Sequence, residues 1–140
     1  MASIVYNSYK KEVLDAGIDH VNDTIKVMLV TSSYTPDQDA HDFKDDITNE
    51  VSGTGYTAGG NTLANPTVTV DNVNNKAKFN ADNTTWASAT ITARGAVIYK
   101  DTGNAATSPL LCYIDFTTDQ SSSNGNFTLN WNAEGIINLN

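Results

Sequence analysis

The sequence predicts a mainly β protein: an antiparallel β-sandwich or small barrel of about seven short strands, with a short N-terminal helix and a long irregular excursion over residues 32–60. Three observations predict it. The stretch Trp86–Lys100, W-A-S-A-T-I-T-A-R-G-A-V-I-Y-K, holds a run of β-branched and aromatic residues suited to a strand packed on at least one face. From Pro66 onward, short apolar runs alternate with Gly, Asn and Asp turns. The length, 140 residues and 15.0 kDa, is that of one domain spanning 1–140 that can build its own core without staples.

Taken in order, Tyr6, Tyr9 and Val13 recur at helical spacing with Leu14 beside them, so a short helix is expected over 7–16 with Gly17 placed to end it. At about ten residues it has to dock its apolar stripe on something larger. Residues 24–31, T-I-K-V-M-L-V-T, alternate at first and then turn apolar throughout, which reads as a central strand. Within the 32–60 excursion, Phe43, Ile47 and Val51 lie four apart, so a helical turn or two is expected over 42–50.

Val68 and Val70 alternate with Thr67 and Thr69, Val73–Lys76 supplies a turn, and Ala77 and Phe79 begin the return of a hairpin. A strand over 90–100 follows, then a polar turn at Asp101–Asn104 and a strand over 109–116. The polar run Q-S-S-S-N-G-N at 120–126 reads as another turn, leading to Phe127, Leu129 and Trp131 on one strand face, and residues 136–139 close the chain as a short strand.

Composition bounds the chemistry. Sixteen acidic against eight basic residues give a net charge of −8 and a pI near 4.4, which repels phosphate backbones, so nucleic-acid binding is not expected. The acidity belongs to residues 1–50, with ten acidic and four basic groups. No apolar run approaches the roughly 20 residues a membrane helix needs. Lysines follow a short apolar stretch near the start, the reverse of a secretory signal, so synthesis and retention in a cytoplasm are expected.

No catalytic, metal or cofactor site is expected. Asp37, Asp39, His41, Asp42, Asp45 and Asp46 crowd together without the glycine and terminal glutamate of a calcium loop, and read as a solvated acidic face. His20 and His41 have no metal-ligand spacing and read as exposed residues. Cys112, in L-L-C-Y-I, reads as a small apolar core residue. Gly53, Gly55, Gly59 and Gly60 lack the G-K-[ST] of a phosphate loop.

The candidates that remain are for contact with partners. The excursion is the leading interaction surface, since loops on a rigid scaffold carry such contacts. Arg94, the only arginine, lies mid-strand between Ala93 and Gly95; it reads either as a salt bridge within the domain, the N-terminal aspartates being candidate partners, or as a subunit or partner contact. Tyr34, Phe43 and Tyr56 complete the candidate interface. Trp86 and Trp131 read first as core anchors.

The segments K-V-M-L-V-T-S-S-Y at Lys26–Tyr34, E-V-S-G-T-G-Y-T-A-G-G at Glu50–Gly60, T-I-T-A-R-G-A-V-I-Y-K at Thr90–Lys100, and Y-I-D-F with S-S-S-N-G beyond it resemble small virion proteins of tailed bacteriophages, most of all the head decoration, or cement, proteins. The resemblance implies a non-enzymatic structural protein on the outer capsid surface, made in the host cytoplasm. Its partners would be the major capsid protein, whose neighbouring subunits it bridges, and further copies of itself as a dimer or trimer. A tail, neck or fibre-associated protein is the alternative within that class. A carbohydrate-binding module, with Tyr34, Tyr56, Trp86 and Trp131 as its sugar platform, is the alternative from another.

Overall fold

The computed structural model describes residues 2–140. The chain forms two antiparallel sheets and one short helix, the architecture of a β-sandwich. Strands β1 (Ile4–Val5), β2 (Ile25–Val30) and β3 (Asn61–Thr62) join β6 (Thr84–Lys100) and β7 (Leu110–Leu129) in a five-stranded sheet of order β1-β7-β6-β2-β3. Strands β4 (Thr67–Asp71), β5 (Lys76–Asn80) and β8 (Ile137–Leu139) make a second sheet of order β4-β5-β8.

Helix α1 (Asn7–Leu14) ends two residues short of the predicted span. Its terminator is Ala16, not Gly17: Ala16 takes φ +56°, and the Gly17 N–H reaches back to the Glu12 carbonyl at 2.8 Å. That pair of features is the Schellman closure, with alanine accepting the left-handed position.

Apart from Lys26, which pairs with Asp101, strand β2 is apolar because both of its faces are covered. Ile25, Val27 and Leu29 point into a core between the two sheets that also holds Ile98, Leu111, Phe79 and Ile137. Met28 and Val30 point the other way, into a second core with Val97, Tyr99, Leu110 and Tyr113. The lid on that second core is the excursion itself, which contributes Tyr34 and Ile47, together with Tyr6 from the entry to α1. The expected helical turn shrinks to a single 3-10 turn, Lys44–Asp46, and Phe43, Ile47 and Val51 do not share a face: Val51 is buried between the sheets, Ile47 packs on the second core and Phe43 faces solvent. Isolated bridges Val30 to Glu50, Phe43 to Pro109 and Thr54 to Thr90 stitch the excursion down. Its return is tight at Gly60, where φ is +76° and a Cβ would collide with the Val27 carbonyl oxygen, so only glycine fits.

The largest departure from expectation lies in β6 and β7, which are 17 and 20 residues long and pair as one hairpin. The polar run 120–126 is not a turn but part of β7. Register shifts on either side of the Ala89–Gly125 pair absorb the surplus residues. Side-chain bonds replace apolar packing there: Thr92 Oγ1 and Ser121 Oγ meet at 2.7 Å, Ser122 Oγ donates to the Ala89 carbonyl, and the Asn124 N–H donates to Thr90 Oγ1. The 66–79 hairpin appears as predicted, with β4 and β5 joined through Asn75 at φ +54°.

Candidate functional site

Of the four residues expected at an interface, two are structural. Tyr34 is 1% exposed; its hydroxyl lies 2.7 Å from that of Tyr6 and 2.9 Å from His41 Nδ1, and its ring meets Tyr113 edge-on. Tyr56 donates to Glu50 Oε1 at 2.7 Å and accepts the Leu29 N–H at 2.9 Å. Glu50 Oε1 also takes the Gly59 N–H, and the Tyr99 hydroxyl donates to the Gly59 carbonyl, so Tyr56 belongs to a clamp that holds the excursion on the sheet. Burial pushes the Tyr34 phenol up to about 12 and those of Tyr6 and Tyr56 beyond it, as expected of neutral, non-reactive hydroxyls. Tyr34 is therefore corrected from a contact residue to a buried pin of the lid, while half-buried Tyr56 spends its hydroxyl on the same task.

Phe43 and Arg94 keep surface. Phe43 is 37% exposed. Arg94 is partly exposed, and its Nε donates to Asp119 Oδ1 at 2.8 Å. The intradomain salt bridge thus exists, but to the facing strand and not to the N-terminal aspartates. The four residues do not assemble into one patch: Arg94 sits on the long hairpin, in β6, and Phe43 at the excursion's rim.

The reactive residue types are accounted for by structure. Cys112 is buried, and burial raises its thiol to about 12, which disfavours the nucleophilic thiolate. His20 is not the exposed residue expected: Nε2 lies 2.7 Å from the Tyr9 hydroxyl, its ring packs on Phe79, and burial lowers its pKa. Asp37 accepts the Asp39 and Ala40 N–H groups and Asp46 accepts those of Asp42 and Phe43, which holds both carboxyls below the usual range. These acids are local caps of an irregular chain. Among the described residues, no three His, Cys, Asp or Glu side chains converge on a common point.

Two surface features stand out that the sequence did not single out. The first is the inner face of the small sheet. Register places Val68, Phe79 and Ile137 in one row and Val70, Ala77 and Leu139 in the next, all on one face, while Thr67, Thr69, Lys76 and Lys78 share the other. Phe79 and Ile137 are buried, but Val68, Val70 and Leu139 are 50%, 73% and 45% exposed. Half of an apolar sheet face thus lies uncovered, and β4 is an open edge. The second is a groove of about 700 Å³ along the outer side of β7, bounded by the 130–136 segment. No family model matches the chain, and no curated protein or solved structure matches it.

Alternation of Val68 and Val70 with threonine marked the strand and its apolar face. What covers that face depends on how far the small sheet extends past the large one, which no local pattern encodes. Trp86 lies buried against Tyr56 and Phe127, so it cannot form a sugar platform with Trp131, which lies in the groove.

Proposed function

We propose that this chain is a non-enzymatic virion structural protein that decorates a phage capsid and bridges neighbouring capsid subunits. The observation that carries the reading is the uncovered row Val68, Val70 and Leu139 on the open-edged small sheet. An apolar sheet face with polar residues on its reverse is a surface for adhesion, and an unpaired edge strand beside it offers backbone groups to a neighbour. The resemblance to head decoration proteins supplies the class of partner.

The rest of the molecule suits that task. The excursion is pinned by Tyr34, Tyr56 and Glu50, so the large sheet behind the small one is a firm scaffold. Contacts of this kind need not be strong singly, since many copies on a lattice stabilise the assembled state by mass action and multivalency.

The test is the copy number of this protein relative to the major capsid protein in purified particles, by quantitative mass spectrometry. A ratio near one, or a simple fraction of it, is expected. A handful of copies would move the protein to the portal, neck or tail, and absence from the particle would overturn the virion reading.

A further inference from the structure

The groove along β7 has a chemistry unlike the rest of the surface. In a chain of net charge −8, not one of the described residues lining it carries a charge. Its floor is apolar, with Phe127 and Leu129 buried and Phe116 and Trp131 partly exposed. Amide and hydroxyl residues, including Gln120, Asn126, Thr128 and Asn130, also line it, the last three alternating along the strand with Phe127 and Leu129 and so meeting the groove from the strand's edge. At about 700 Å³ it falls within the size range of small-ligand sites, and it lies open at the end of the sandwich where β7 leaves for the second sheet.

The groove is also preformed. The Trp131 backbone N–H donates to Asn83 Oδ1 at 2.9 Å, and its indole N–H donates to the Asp82 carbonyl at 2.9 Å. The ring is locked from behind and offers stacking area at no ordering cost. The wall that follows is tied to β5, with Asn80 Nδ2 donating to the Asn132 carbonyl and the Ile136 N–H to the Phe79 carbonyl. Asn130 spends only its oxygen, on Asn83 Nδ2, and keeps its amide donors. The Asn126 side chain bonds nothing within the described chain, so all of its donors and acceptors are free.

We infer that this groove is a binding site for a neutral saccharide. A fixed aromatic face takes the apolar side of a sugar ring, side-chain amides match its hydroxyls, and the uncharged lining among the described residues favours a neutral ligand. An extended peptide is the poorer fit. Strand addition needs a long regular ladder, and beside the groove the regular run of β7 is only Phe127–Leu129, paired with Thr84–Trp86, before a register shift and Asn124 at φ +48° interrupt it.

The chain's two tryptophans make the test internally controlled. In ¹H–¹⁵N spectra of the intact protein, titration with maltohexaose, cellohexaose, xylohexaose and N-acetylchitohexaose is expected to move the Trp131 indole signal with at least one sugar, while Trp86, buried behind Phe127 and outside the lining, moves less. Trp131→Ala should weaken that binding about tenfold or more. Asn126→Ala, which breaks no internal bond, should weaken it several-fold with the fold unchanged. Silence of Trp131 across the four sugars overturns the assignment, as does a response that survives Asn126→Ala at full strength. An equal response to a neutral Gly-Ser peptide overturns it in favour of a peptide groove.

Discussion

The Tyr6 and Tyr34 hydroxyls meet at 2.7 Å in the core, joining the entry of α1 to an excursion 28 residues later. The bond is unsymmetrical in what it leaves behind. Tyr34 has a second partner in His41 Nδ1, whereas Tyr6, fully buried, has none besides Tyr34. Tyr34→Phe therefore strands a buried hydroxyl and should cost about 1–3 kcal/mol, whereas Tyr6→Phe leaves Tyr34 bonded and should cost less. For a chain of this length each kcal/mol is roughly 3 °C of Tm. The double variant should fall little below Tyr34→Phe alone, since the orphan is gone. Thermal melts of the three variants check the order.

The Gly95 backbone lies under the Tyr113 ring across the β6–β7 hairpin. A Cβ at Gly95 would come within 2.6 Å of the Tyr113 hydroxyl and 2.7 Å of the Ile114 carbonyl oxygen, and the ring is itself buried against Tyr34. Gly95→Ala should then destabilise by about 1–3 kcal/mol through overpacking. Combining it with Tyr113→Leu should cost less than the sum of the two, because the second change vacates the space the first one needs. Denaturant unfolding of the pair and of each single variant measures the coupling.

Much of this arrangement could be read in the residues, and the parts that could not have a common cause. The run at 24–31 announced a central strand, and Val68 and Val70 alternating with threonine announced a hairpin, because those patterns are local. Tyr34 looked like a loop aromatic free to meet a partner, yet its burial depends on Tyr6 and Tyr113, far away in sequence. Residues 120–126 looked like a turn because polar, glycine-containing runs usually are; here a bulged, solvent-facing strand is held by Thr and Ser side-chain bonds. Of the groove only Trp131 was weighed as a contact residue, in the sugar-platform alternative, since Phe116 and Asn126 join it from ten residues apart along β7.

His20 makes stability respond to mild acid. It is wedged between Tyr9 of α1 and Phe79 of β5; burial lowers its pKa from the usual 6.5, while Asp19 and Asp23 beside it pull the other way and Lys78 of β5 lines the same small cleft. The unfolded chain thus takes up the proton before the folded one does. Stability is full above the unfolded-chain value, and it falls as the pH drops through that value toward the lower folded one. Wild-type Tm should decline between about pH 7 and pH 5, above the range where carboxylates titrate. In His20→Gln the decline should be shallower. Equal slopes in the two proteins would remove His20 as the cause.

The uncovered face of the small sheet separates adhesion from folding. Val70 is 73% exposed, so Val70→Asp should change stability by no more than about 0.5 kcal/mol. On the proposed docking surface, though, it places a carboxylate in the middle of an apolar contact, where an unpaired charge is strongly unfavourable. Thr69→Asp is the matched control: it adds the same charge to the same strand but on the opposite face, beside Lys78. Co-sedimentation with undecorated particles should fall sharply for Val70→Asp and stay near wild type for Thr69→Asp. If both variants bound equally well, the apolar row would not be the contact; if both lost binding equally, the strand edge or net charge would carry the interaction instead.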